Sequence, residues 1–345
     1  MRLMSCLAAG QVICGEGYVF ELERRGYVQA GPFVPEVVLE EPDAVASLHR
    51  EFVRAGSDVV VACTYYAHRA KLRLVGREGD LERLNRAALD IATNVAAESG
   101  AMVAGNICNT NVFESGDRRS SAVAQAMFAE QVGWAADAAV DYVIAETFSF
   151  CEEALLAVRE VKQAGLPCVA TLAICREPAT FDGVAVTEAC KRLAAAGADV
   201  VGVNCMRGPH TMLPLLAPIV AAVEVPVAAL PVPYRTTAAN PAFMTLRDEG
   251  YAAHSHAHGG AFPTALDPLM CNRDEIADFT AAAAALGVRY FGLCCGAGPH
   301  HLRSMAEALG RTPRASRYSP DMTQHPMLGT SVSAAGARAR HGGQL

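Results

Sequence analysis

Short runs of β-branched and apolar residues recur along the chain, each followed by a longer stretch whose apolar positions repeat with helical spacing. That alternation signals βα units on a parallel sheet. The runs predict eight strands, near Gln11–Cys14, Asp58–Ala62, Met102–Gly105, Tyr142–Ala145, Cys168–Leu172, Val200–Asn204, Val227–Leu230 and Tyr290–Leu293. Helical periodicity covers roughly 43–55, 80–98, 120–138, 151–164, 186–196, 211–223 and 273–286, with a last helix over 299–309. Several of these stretches end on a glycine just before the next strand, as at Gly56, Gly165, Gly197 and Gly287. A glycine there takes the left-handed conformation that closes a helix.

Eight such repeats joined by right-handed crossovers close into an α/β fold, the (β/α)8 TIM barrel. The alternative is an open, doubly wound sheet. Gly15-Glu16-Gly17 lacks the third glycine of a dinucleotide fingerprint, and no periodic helix stands directly behind it. Two segments break the alternation. Residues 231–272 form an extended loop after strand 7, rich in Pro, His, Gly and Ala, and are expected to act as a lid. Residues 311–345 are a Ser/Arg/Gly/Pro-rich C-terminal tail, expected to be an arm or disordered, behind a catalytic barrel domain of residues 1–310.

Composition narrows the function. A chain of 345 residues, 52% hydrophobic, can bury the core of one elaborated barrel. The net charge of -7 and the lack of any long Lys/Arg block argue against nucleic acid as a partner. Residues 3–14 are mildly apolar behind Arg2, but Gln11 and the absence of a small-residue cleavage site argue against a signal peptide, so the segment is expected within the fold. Twelve cysteines without paired spacing read as reduced thiols of a cytoplasmic protein. Apolar runs stop short of the ~18–20 residues that cross a bilayer, so no membrane partner is expected.

In a barrel of this kind the chemistry sits where strands end. Cys205 follows strand six, and Cys294-Cys295 follow strand eight, with only one strand between them. Neighbouring residues on a regular strand face opposite ways, so both members of the pair can reach one ion only if the chain bends. Gly292 and Gly296 flank the pair and permit that bend. Three thiolates with one vacant position match an open, catalytic zinc. For an arbitrary Cys-Cys pair, burial as free thiols is the commoner outcome; the flanking glycines and the matching strand-six cysteine favour metal. Packing accounts for the other nine cysteines.

His254, His256 and His258 alternate like a metal tract, but in a polar, glycine-rich segment they read better as a surface loop. Glu16 and Glu146, at the ends of strands one and four, face the mouth either as ammonium ligands or as scaffold ion-pair partners. Phe33, Tyr65 and Tyr66 fall in the first two βα loops, where aromatic faces suit an onium cation or plain packing.

Several segments carry a resemblance: Gly15 through Tyr27, Ala30-Gly31-Pro32-Phe33, Leu48 through Phe52 running into Gly56, Ile144-Ala145-Glu146, Val201 through Cys205, and Gly287 through Gly296. Over roughly residues 10–310 the chain resembles the homocysteine S-methyltransferase family, most of all its betaine-using members. The resemblance implies Zn2+ held by Cys205, Cys294 and Cys295 with the homocysteine sulfur as fourth ligand. It implies homocysteine bound by Glu16, Gly17, Glu146 and Asn204, with Glu146 also counted among the catalytic residues. The methyl donor would meet Phe33, Tyr65 and Tyr66, and the product would be methionine.

Three positions depart from the pattern. Glu16 stands for an aspartate, Phe33 for the tryptophan of the betaine-using members, and Thr147 for an aromatic. The implied donor is betaine or a related small onium compound, with S-methylmethionine or a dimethylsulfonium acid as alternatives. A non-catalytic zinc or redox-sensing barrel is the reading from another class. A homo-oligomer is compatible with the sequence.

Overall fold

The computed structural model describes residues 2–15, 17–248, 260–331 and 335. Eight strands form a closed parallel barrel, each beside its successor in sequence and the eighth beside the first. They are β1 (Val12–Gly15), β2 (Val59–Val61), β3 (Met102–Cys108), β4 (Tyr142–Phe148), β5 (Cys168–Leu172), β6 (Val200–Asn204), β7 (Val227–Leu230) and β8 (Tyr290–Leu293). Both faces of each strand are covered, as a parallel sheet requires, and nearly every strand residue is buried.

Twelve α-helices occur among the described residues: α1 (Arg2–Ala9), α2 (Tyr18–Arg24), α3 (Val37–Glu40), α4 (Pro42–Ala55), α5 (Arg69–Leu74), α6 (Leu81–Ser99), α7 (Arg118–Asp137), α8 (Cys151–Gln163), α9 (Val186–Ala195), α10 (Pro209–Val220), α11 (Arg273–Ala285) and α12 (Pro299–Ala308). Four of them, α1, α2, α3 and α5, are too short for sequence periodicity to reveal. Helix α2 stands directly behind Gly15–Gly17, where the periodicity indicated none. Its seven residues carry Glu21, Glu23 and Arg24, yet Tyr18, Val19, Phe20 and Leu22 are buried. Helix α1 keeps residues 2–9 within the fold by burying Leu3 and Leu7, one turn apart. No helix among the described residues is long and apolar enough to cross a membrane.

Strands β3 and β4 each run three residues past the ends predicted from their apolar runs. The polar residues Asn106, Glu146 and Thr147 interrupt the hydrophobic pattern, but the ladder continues through them, pairing Asn106 with Ile144, Ile107 with Ala145 and Cys108 with Glu146. Glu146 therefore lies within its strand rather than at its end.

A repeated device closes the face opposite the mouth. Asp58, Asp141 and Asp199 immediately precede β2, β4 and β6. Each donates its backbone N–H to one residue of the preceding strand, Ile13, Val103 or Cys168, at 2.8, 2.9 and 2.8 Å. Each carboxylate accepts that same residue's N–H at 2.8 Å. A cation backs each one: Arg311 for Asp58, Arg2 for Asp141 and Lys162 for Asp199. Arg311 opens the C-terminal segment, whose Ser316 and Ser319 hydroxyls both donate to Glu307 at 2.7 Å.

Removing one staple frees a strand N–H at a partly buried position. Asp199→Ala is expected to lower the unfolding free energy by about 1–3 kcal/mol, read as a lower urea midpoint at unchanged m-value. An unmoved midpoint would show that the staple carries no weight.

Candidate active site

Cys205 follows the last residue of β6, and the chain turns there through two consecutive left-handed residues, Cys205 (φ 56) and Met206 (φ 51). Such a conformation is uncommon outside glycine and is kept only where the surroundings hold it. Cys205 N–H donates to Leu230 O at 3.0 Å. The buried Arg207 guanidinium then pins the turn by donating to three carbonyls, those of Ile174, Thr211 and Arg176, at 3.1, 3.1 and 2.8 Å.

Cys294 and Cys295 lie just past β8. Cys294 N–H donates to Pro231 O at 2.9 Å, and Ala297 N–H closes a turn onto Cys294 O at 3.1 Å. The two flanking glycines do different work. Gly296 (φ 92) supplies the left-handed turn. Gly292 instead permits close approach, since a Cβ there would sit 2.5 Å from Cys14 O and 2.6 Å from Leu230 Cδ2.

This geometry brings the three sulfurs together. Cys205 Sγ is 3.7 Å from Cys295 Sγ, and Cys294 Sγ is 3.9 Å from Cys295 Sγ. All three lie within 4.8 Å of one another, and no other such His/Cys/Asp/Glu group occurs among the described residues. The cluster is able to hold a metal ion. Cys205 is pushed down by its hydrogen bonds with Cys294 and Cys295, and those two are pushed up by their hydrogen bonds with Cys205.

Glu146, buried in β4, sits beside this cluster. Asn204 Nδ2 donates to Glu146 Oε2 at 2.9 Å and to Thr147 Oγ1 at 2.8 Å, and approaches Cys294 Sγ at 3.9 Å. Its Oδ1 accepts Thr147 N–H at 2.9 Å, steadying that residue's left-handed backbone (φ 63). Asn106 Nδ2 donates to the other carboxylate oxygen, Oε1. Gly17 (φ 91) opens α2 against the cysteine loop, where a Cβ would meet Cys294 O at 2.6 Å. Glu16 and the histidines 254, 256 and 258 lie outside the described residues.

The cavity above the sulfurs encloses about 800 Å³ of empty space, part of it open to solvent. Phe33, Tyr65 and Tyr66 all line it but divide into two groups. Phe33 stacks on Phe20 with centroids 5.1 Å apart, and Phe262 and Phe243 complete that cluster. Tyr65 and Tyr66 pack together at 4.4 Å, and Tyr66 also meets His68 edge-on at 5.8 Å. The Lys71 ammonium lies 4.0 Å from the Tyr66 ring centroid, so one face of that ring already holds a cation. Burial, with the neighbouring Tyr66 and cysteines, keeps the Tyr65 hydroxyl protonated far above the usual range. Sequence reasoning missed Phe20, Phe243, Phe262, Asn106 and Arg207. The two aromatics of the extended loop, one of them before Pro263, were the available signal.

A closed parallel barrel with three convergent sulfurs and a buried carboxylate beneath an aromatic-lined mouth defines a barrel enzyme built around a thiol centre able to take a metal. The sequence narrows this further, because the family model described as Homocysteine S-methyltransferase matches residues 12–309. The chain belongs to that family. It is 37% identical over 341 residues to a betaine–homocysteine S-methyltransferase 1 of Xenopus tropicalis, covering 96% of this chain and 80% of that one. It is 34% identical over 336 residues to an S-methylmethionine–homocysteine S-methyltransferase of Rattus norvegicus, covering 96% and 86%. The metallated homocysteine methyltransferase MmuM of Escherichia coli shares the fold, with a TM-score of 0.67 at 17% identity over 86% of this chain and 96% of that one.

Asn204 binds the carboxylate, the Thr147 backbone and the sulfur region through one side chain. Asn204→Ala is expected to cost about 2–4 kcal/mol of stability, since it removes a donor from Glu146 and the acceptor of a buried N–H. Denaturant unfolding checks this, and a loss below about 0.5 kcal/mol would mean that solvent replaces both bonds.

Proposed function

We propose that the protein transfers a methyl group from a small onium donor to homocysteine, giving methionine, at a zinc site held by Cys205, Cys294 and Cys295. The sulfur cluster carries this reading. Tetrahedral zinc with Zn–S bonds of ~2.3 Å spaces its sulfurs ~3.8 Å apart, and the observed 3.7 and 3.9 Å fit that spacing. Three donors leave a fourth position for substrate, as in catalytic rather than structural sites. Bound zinc would supply the positive charge under which a thiol, otherwise protonated at neutral pH, reacts as a thiolate.

The remaining work falls to the chain's own residues. Glu146, fixed by Asn204, takes the amino-acid end of homocysteine, together with Glu16 and the backbone at Gly17. The Phe20–Phe33–Phe262 group and the cavity side of Tyr65 and Tyr66 receive the donor cation and keep water from it. Holding sulfur, methyl carbon and leaving heteroatom in line converts an encounter of two molecules into a displacement within one complex. The methyl carbon gains its bond to sulfur as its bond to the heteroatom breaks. The donor leaves with its positive charge cancelled, and the thiol proton passes to solvent. Twelve cysteines without paired spacing fit a reducing cytoplasm.

Relatives named for betaine and for S-methylmethionine match at similar identity. Phe33 and Thr147 leave less aromatic surface than the betaine-using pattern, so a sulfonium donor belongs within the reading.

Two measurements on one preparation test it. Incubation with homocysteine and, separately, betaine, S-methylmethionine or a dimethylsulfonium acid should yield methionine with at least one of them; none from any donor would end the proposal. Cys205→Ser and Cys294→Ser should each lose zinc and reduce turnover about a hundredfold or more while staying folded, whereas full activity without metal would refute the zinc assignment. Chelation that unfolds the wild type would favour a structural zinc instead.

A further inference from the structure

Asn106 has no part in the roles above. It lies within β3, is 5% exposed and lines the cavity. Its Nδ2 donates to Glu146 Oε1, which fixes the amide, because the reversed orientation would set its oxygen against a carboxylate oxygen. Oδ1 is therefore held away from Glu146, buried and without a hydrogen-bond partner among the described residues. The Thr64 hydroxyl donates to the Asn106 backbone carbonyl instead, at 2.8 Å. A buried amide oxygen without a donor is unfavourable unless something serves it.

We propose that Asn106 Oδ1 is a specificity-determining acceptor for the ammonium group of the thiol substrate, so that this wall selects an α-amino thiol over the same thiol without its amine. The inference rests on the homocysteine reading. An ammonium presents three donors, and Glu146 with Oδ1 offers acceptors for two of them. Asn204 connects this wall to the sulfurs, bonding Glu146 at 2.9 Å while lying 3.9 Å from Cys294 Sγ. That short reach suits a molecule whose amine and sulfur are three carbons apart.

Calorimetric titration with L-methionine and with 4-(methylthio)butanoate, which differs only by loss of the amine, tests the assignment without turnover. Asn106→Ala should weaken methionine binding about tenfold to a hundredfold and leave the deaminated ligand within about twofold. Equal weakening of both, or weakening of neither, overturns it, since Asn106 would then act only on the shape of the site. The methyl-transfer assay fails or succeeds separately: a wild type that makes no methionine refutes the parent reading, while the titration still decides the role of Asn106. Should the alanine variant not fold, Asn106→Asp keeps the oxygen and sets two carboxylates face to face. That variant should retain methionine and lose the deaminated ligand, and a folded form that loses methionine binding overturns the assignment.

Discussion

Tyr234 lies fully buried between the chain segments that follow the two cysteine-bearing strands, and each segment meets it as glycine, one at its backbone carbonyl and the other at its ring. A Cβ at Gly208 would fall 1.8 Å from Tyr234 O, and one at Gly296 would fall 2.1 Å from its hydroxyl. Arg24 of α2 locks the arrangement by donating to that hydroxyl and to Gly296 O, both at 2.9 Å. The cysteine-bearing segments are thus set by packing of the chain's own residues. Three side chains held this way owe their spacing to the rigidity of the scaffold around them.

Around that frame the mouth divides by chemistry. One wall is polar and cross-bonded, running from Asn106 through Glu146 and Asn204 to Thr147, with the Asn106 Oδ1 left over. The other is aromatic and built largely from α2 and the segment after β7. Under the proposed function the first wall serves a substrate that is zwitterionic at one end and sulfur at the other, and the second serves an onium methyl. The sulfurs line the same cavity as both walls, so that proposal gives each reacting partner its own set of groups.

The barrel was legible because its strands are buried on both faces and stand out as apolar runs, and the sulfur cluster because strand order puts β6 and β8 one strand apart. The polar wall was less legible for the same reason: Asn106, Glu146 and Thr147 break the runs, so β3 and β4 were read as ending before the residues that matter. Arg207 gave no signal either, since its guanidinium hydrogen-bonds backbone carbonyls, which any residue type supplies. Phe20, Phe243 and Phe262 come from separate segments and become one surface only through tertiary packing. Gly292 was read as a hinge and proves to be a point of contact, a distinction that rests on which atoms of β1 and β7 lie against it.

The aspartates at the foot of the barrel divide it into doublets. Asp58, Asp141 and Asp199 each bind an even strand to the odd strand before it, while Arg289 stands at the corresponding place before β8 and offers no carboxylate. The chain can therefore be opened between doublets, in the segments joining β2 to β3 or β4 to β5, without parting any aspartate from its strand. A circular permutant with its new ends there keeps all three ties, whereas one opened between β5 and β6 must reassemble a tie from opposite ends of the polypeptide.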